Sequence, residues 1–267
     1  MQSDSNDILF LTNLADQRQA VDTLVSESRA DGDYYLYLIV SGLIACLGLL
    51  NDNPVIVIGA MLIAPALFPI LSLGLAIVTA SKSAIWRALK AITVSFMAVV
   101  FSSMVMAFMF HGMIGEELNQ TIALASSPNA TSWIIAALSG LIVSYAWVKQ
   151  SQSALLPGVA IAVSLVPPLA NIGVGIVAQS MTVFAGSLLT FIINLTVITV
   201  FSVMVFAVFG FSEMRNWQSL RLKQEKRELE KDRVKIGNTI EKIANDLDEA
   251  SNADEVAENK IATDTTS

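Results

Sequence analysis

An all-α, polytopic membrane protein is the fold class this chain predicts, on three observations. Of its 267 residues, 54% are hydrophobic, and the mean hydropathy is +0.62. The charges are segregated: between Tyr34 and Ser212 the only Asp, Glu, Lys or Arg residues are Asp52, Lys82, Arg87, Lys90, Glu116, Glu117 and Lys149, all set between apolar runs. Finally, a proline-interrupted apolar stretch occurs twice, inside a larger unit that also repeats.

A bilayer-spanning helix needs about 20 mostly apolar residues. Six segments qualify or come close: Tyr34 to Leu50, Pro54 to Thr79, Leu89 to Ile114, Trp133 to Val148, Leu155 to Ala178 and Met181 to Phe211. The first and fourth are short, and a buried helix of a soluble protein is the alternative for each.

The repeat is legible in three elements that recur in order. SGLI stands at Ser41 to Ile44 and again at Ser139 to Ile142, 98 residues on. VIVIGAMLIAPALFPI, Val55 to Ile70, is matched by LPGVAIAVSLVPPLANIGVG, Leu156 to Gly175, with Pro65 meeting Pro167 at a shift of 102. FSSMV from Phe101 faces FSVMV from Phe201 at a shift of 100. Chance coincidence among Leu, Ile, Val and Ala is the competing explanation, and small changes of shift are what loop insertions produce.

Orientation follows from the basic residues, because short loops rich in Lys and Arg stay on the cytoplasmic side. Six crossings with a cytoplasmic N-terminus put all 16 Lys and Arg residues inside. A re-entrant hairpin at either interrupted segment would flip the parity and move some of them outside. Three crossings per repeat is an odd number, so the second copy enters from the opposite face. The expectation is a 3+3 inverted repeat, an arrangement that supplies alternating access in many transporters.

The expected organisation is a cytoplasmic segment over 1–33, a first three-helix repeat over 34–114, an external loop over 115–132 and a second repeat over 133–212. A cytoplasmic helix over 213–249 and a disordered acidic tail over 250–267 complete it. In the first segment Leu14, Val21, Leu24 and Val25 fall at helical spacing, which predicts an amphipathic helix on the membrane surface. A charged, helix-like stretch ahead of the first apolar run argues against a signal peptide. Near the C-terminus Leu222, Leu229, Ile236, Ile240, Ile243 and Leu247 trace a heptad seam, with Lys226 and Arg233 at core positions. This predicts a self-associating coiled coil over 220–247; a single solvated helix interrupted by Gly237 is the alternative.

Both interrupted helices are expected to break. Proline removes its N–H and crowds the carbonyl four residues back, so Pro65 frees the carbonyl of Met61 and Pro167 that of Val163. Pro168 further restrains Pro167, so the second break is expected to be the sharper. Freed backbone groups cannot face lipid, so they are covered or line a polar cavity. A plain proline kink in a packed bundle is the competing reading. The candidate substrate-binding set is Gly59, Pro65, Pro69, Ser72, Ser164, Pro167, Pro168, Asn171, Gly173, Gly175 and Asn194. Glycines allow close approach of backbone or ligand, and Thr190, Thr196, Ser95, Ser102 and Ser103 add hydroxyls. No span holds Asp, Glu or Arg, and Lys90 at the edge of the third is the one Lys, which argues against a carboxylate-driven proton relay. Helix-to-helix hydrogen bonding is the competing role for the Ser and Thr residues.

IGAMLIAP at Ile58 to Pro65 and LPGVAIAVSLVPPLANIG at Leu156 to Gly173 resemble the bacterial and archaeal family catalogued as domain of unknown function 389, over roughly Asp33 to Gly210. The resemblance implies a multi-pass protein of a prokaryotic cytoplasmic (inner) membrane and no established activity. The family pattern tends to place Gly before the second proline of the first motif, Pro69, where this chain has Phe68, a bulk that would narrow the first break. Many members resemble fusions to a soluble N-terminal domain, for which the 33 residues here leave no room.

His111 has no second ligand at metal spacing and Cys46 is alone. No cofactor, metal site, catalytic residue or nucleic-acid surface is expected. The net charge of -7 comes mostly from the ends. Expected partners are membrane lipid, a small solute or ion, and further copies of the chain through the 220–247 helix and the membrane domain. The leading expectation is a transporter or channel for a small solute or ion, neutral or anionic slightly favoured. A scaffold or signalling protein acting through the cytoplasmic coiled coil is the alternative, and an intramembrane enzyme is disfavoured.

Overall fold

A computed structural model describes residues 14–27, 31–65, 67–113, 119–149, 155–232 and 235–236, with side chains from Gln17 in the first helix and from Leu165 in the eighth. Every regular element among them is helical: α1 Leu14–Glu27, α2 Gly32–Leu50, α3 Pro54–Ile63, α4 Leu67–Val78, α5 Lys82–Met109, α6 Gln120–Ser126, α7 Ala130–Val148, α8 Leu155–Val177 and α9 Met181–Val208. Short 3-10 turns lie at His111–Met113 and Phe211–Met214, and α10 covers 215–232. Two compact units divide at Ser219, so the bundle and the region from Leu220 are taken separately.

Four helices, α2, α5, α7 and α9, are long and apolar enough to cross a membrane, and the bent pair α3 and α4 makes a fifth when counted as one span. The outer surface of α5 and α9 is apolar, with Phe108 75% and Val208 59% exposed. Such a surface suits hydrocarbon, where helices alone satisfy their own backbone groups.

Element lengths recur. The helices α2 and α7 have 19 residues each, and α5 and α9 have 28 each. The turns into α5 and α9 also match. Ala80 and Gln179 take φ of 48° and 53°, and each turn closes in a Schellman pattern, Ser81 N–H to Ala76 O at 3.1 Å and Ser180 N–H to Gly175 O at 3.0 Å. Ser81 and Ser180 then adopt φ, ψ of -92°, 100° and -96°, 102°.

Small residues set the closest helix contacts, as expected where packing rather than hydrophobic transfer drives association. Gly42 of α2 faces Val99 of α5, and Gly140 of α7 faces Ile198 of α9. Gly74 of α4 faces Ser202 of α9, while Gly173 of α8 faces Val100, Ser103 and Met104 of α5. Hydroxyls bridge two of the same seams, Ser144 donating to Ser202 Oγ at 2.8 Å and Ser103 to Ala170 O, and Ser41 of α2 donates to Ala60 O of α3 at 2.8 Å.

Four expectations change here. Of the two anticipated breaks only the first forms. At Ala64, ahead of Pro65, the backbone has ψ of 119°, outside the helical region as a residue before proline prefers, and α3 and α4 meet at 59°. By contrast α8 runs unbroken through Pro167 and Pro168, although their missing N–H groups leave the carbonyls of Val163 and Ser164 without their usual helical donors. Leu165, Val166, Leu169 and Ala170 are all buried around the two prolines, so packing holds this stretch of helix on both sides of them.

The N-terminal helix is amphipathic but docks on protein. Ala20, Val21, Leu24 and Val25 are buried. Gln17 donates to Phe209 O at 2.9 Å, Trp147 Nε1 donates to Ala20 O at 3.2 Å, and Trp217 Nε1 donates to Asp22 at 2.9 Å. The expected external loop contains α6, whose Ile122 and Ala125 are buried. Lastly, the third span starts at Lys82, so Lys82, Arg87 and Lys90 belong to its first turns. In the unit from Leu220, Leu229 and Ile236 of the heptad seam stand exposed; residues 237–249 and the tail lie outside the described residues.

Candidate functional site

Pro167 and Pro168 line a cavity of about 300 Å3 together with Met61 of α3, Thr121 of α6, Ser132 of α7, and Thr190 and Asn194 of α9. The remaining walls are apolar, among them Val57, Ile58, Leu124 and Ile135. Ile58, Leu124 and Ile135 are 47%, 66% and 45% exposed, so the cavity opens at the surface of the bundle. A volume of this size is at the lower end of ligand pockets. Among the described residues no charged side chain lines it.

Each polar lining group has a local reason for its place. Thr190 donates to Gly186 O one turn earlier at 2.8 Å, which spends its proton and leaves its lone pairs as acceptors. The Asn194 side chain is 2% exposed, in the middle of a 28-residue helix. Thr121 sits in the first turn of α6, where both its N–H and its hydroxyl donate to Asp52 Oδ1, at 2.8 and 2.6 Å. Those bonds, the hydroxyl first and the N–H second, hold the Asp52 carboxyl below the ordinary carboxylate range. Asn119 donates to the carbonyls of Leu49 and Leu50 at 3.4 and 3.1 Å, using acceptors that the end of α2 leaves over. These contacts fix α6 as one wall of the cavity.

Of the anticipated site residues, the cavity brings together Pro167, Pro168 and Asn194. Asn171 is fully buried and braces helices instead, donating to Ile122 O at 3.0 Å and Ser187 Oγ at 2.9 Å. Gly173 and Gly175 meet α5 and α9. Gly59 has nothing within 4 Å of where a Cβ would stand, so it serves no close approach. Pro65 marks the break itself, and Ser72 is half-buried in α4 and lines neither this cavity nor the smaller one below. Ser164 lies in α8, its side chain outside the described residues. Phe68 turns its ring onto Trp147, with centroids 5.8 Å apart, so it packs against α7.

Pro69 lies elsewhere. With Tyr34, Ile70, Ile92, Ser95, Phe96, Leu165, Leu169, Phe191 and Leu195 it lines a second, smaller space of about 30 Å3. Tyr34 and Ser95 hydrogen-bond across it at 2.6 Å. Sequence reading missed Tyr34, Thr121 and Ser132. Tyr34 and Ser132 are the third residues of two equally long helices, a signal that appears only once helix starts are known. Thr121 carried no signal, because it lies in the segment expected to be a loop.

Among the described residues no group of three or more His, Cys, Asp or Glu could hold a metal ion. The arrangement can bind a small, uncharged molecule through hydroxyl and amide groups in an apolar surround.

The fold and its apolar spans define a multi-pass, all-helical membrane protein. The model of the family described as "Domain of unknown function (DUF389)" matches residues 61–200, and the chain belongs to that family. It is also similar to the uncharacterized protein MJ0678 of Methanocaldococcus jannaschii, 30% identical over 188 residues that make up 68% of this chain and 56% of the relative. The chain thus spans little more than half the length of that relative. No solved structure matches it.

Proposed function

We propose that this protein moves a small neutral or anionic solute across a prokaryotic cytoplasmic membrane, as a facilitator or secondary transporter with six crossings built from two inverted halves. The carrying observation is the cavity beside Pro167 and Pro168, where Asn194, Thr190 and Ser132 offer polar groups within an uncharged, apolar surround.

Several features support the inverted halves. The helix lengths of 19 and 28 residues recur, with the same Schellman turn ahead of each long helix. The end of α2 meets α6 and the end of α7 meets α1, while α6 lies beside Gly186 near the start of α9 and α1 beside Phe209 just past its end, which supports opposite directions for α2 and α7. Gly74 to Ser202 and Gly173 to Ser103 are reciprocal contacts between the halves. The end holding α1, Arg87 and Lys149 is then the cytoplasmic one, by the bias of basic residues. Self-association through the 220–247 helix belongs to the same reading, supported by the exposed seam residues Leu229 and Ile236.

The test is solute entry into proteoliposomes, read by stopped-flow light scattering with glycerol, urea, sugars and the sodium salts of small anions. Entry faster than in protein-free liposomes is expected for at least one of them. It should fall about tenfold or more in Asn194→Leu, which keeps the volume and removes the amide, and in the paired Pro167→Ala, Pro168→Ala variant. No acceleration for any solute, or full flux in Asn194→Leu, would overturn the proposal.

A further inference from the structure

Resting on the transport reading above, we infer that the 30 Å3 space at Tyr34 and Ser95 is the second vestibule of the same solute path, closed in this conformation and opened when the large cavity closes. The two spaces are built from matching positions. Tyr34 and Ser132 are the third residues of α2 and α7, and Ser95 and Asn194 are the fourteenth residues of α5 and α9. Pro69 and Pro168 each stand eleven residues before the left-handed residue of the matched turns, Ala80 and Gln179. Three chemically decisive lining positions of one space therefore recur in the other, 98 or 99 residues away.

The same two helices separate the spaces. Pro167 and Pro168 of α8 line the large cavity while Leu165 and Leu169 line the small one; on α9, Thr190 and Asn194 face the first, and Phe191 and Leu195 the second. The Phe96 and Phe191 rings, 5.5 Å between centroids, fill the small space. Movement of α8 and α9 that opens one side thus takes volume from the other.

A single hydrogen bond joins the two polar residues that line the small space, a contact that can be made and broken. Ser95 donates its only hydroxyl proton to Ala91 O at 2.7 Å, so Tyr34 is the donor in the 2.6 Å bond between them. Once parted, the Tyr34 hydroxyl can donate to solute or water and Ser95 Oγ can accept from it. The halves also differ in backbone: one is broken at Pro65, and the other is helical through Ser164, 99 residues on. Exchange of these conformations between inverted halves is a device by which one chain reaches two states.

The test needs no known solute. In full-length protein with Cys46→Ala, single cysteines replace Ile92, lining the small space, or Thr190, lining the large one. Their modification by a membrane-impermeant maleimide is timed from the face bearing Arg87 and from the opposite face. Tyr34→Phe, and independently Ser95→Ala, should raise the Ile92→Cys rate from the Arg87 face about three- to tenfold, the range a lost buried hydrogen bond gives, and slow Thr190→Cys from the opposite face. As a check needing neither variant, filling the large cavity with a bulky reagent at Thr190→Cys should raise the rate at Ile92→Cys in the double-cysteine protein. Ile92→Cys that stays unreactive in all three settings, or rates at the two positions that rise together, would overturn the inference. Reciprocal rates without flux of any solute would keep the paired vestibules and sink only the transport reading; flux with uncoupled rates would do the reverse.

Discussion

Replacing Gly173 by alanine isolates a close contact between α8 and α5. A Cβ at this position would stand 2.8 Å from Met104 N and Val100 O and 2.9 Å from the Ser103 Cβ, closer than van der Waals contact allows and mostly against backbone. Such overpacking costs about 1–3 kcal/mol, set against about 0.5–1 kcal/mol gained because alanine loses less backbone freedom than glycine in a helix. Gly59→Ala supplies the control, since that glycine is also helical yet has nothing within 4 Å of the added carbon. The helical gain cancels between the variants, so their difference reads the overpacking alone. The Gly173 variant should be less stable than the Gly59 variant by about 1–3 kcal/mol, and Gly59→Ala should match or exceed the parent. Unfolding by SDS titration from mixed micelles, followed by tryptophan fluorescence, measures both. Equal stability of the two variants would show that α5 and α8 do not approach at Gly173 and would remove one of the reciprocal contacts on which the inverted halves rest.

Two further outcomes are expected. Asp52 accepts from the Thr121 hydroxyl and N–H, which lower its carboxyl pKa; a folded value below the unfolded one stabilises above the ordinary carboxylate range and is lost as pH falls through the folded value. The hydrogen-exchange protection of the Thr121 amide should therefore decline in acid and lose that dependence in Asp52→Asn, and protection that is flat with pH in the parent would refute the cap. Leu24, 1% exposed, anchors α1, and Leu24→Ala costs about 2–5 kcal/mol in a packed site. That suffices to undock a short helix locally, so limited proteolysis within 14–27 should accelerate while the bundle stays resistant; unchanged cleavage would return α1 to the membrane surface.

The chain alone determined the class, because bilayer solvation demands long uncharged segments and leaves them visible as composition. It also carries SGLI twice, 98 residues apart, and a proline-interrupted apolar stretch twice, both visible as residue identities. Within the candidate site, Pro167, Pro168 and Asn194 were legible because prolines and amides are conspicuous in apolar runs. Tertiary structure alone decided the rest. Whether a proline breaks a helix is not written in the proline: Ala64 leaves the helical region ahead of Pro65, while α8 stays helical through Pro167 and Pro168. Equally, Asn171 and Asn194 have the same chemistry in sequence, and only the neighbours they meet make one a brace between helices and the other part of a cavity wall. Local backbone preference is written residue by residue, but the energy that overrides it comes from contacts far along the chain.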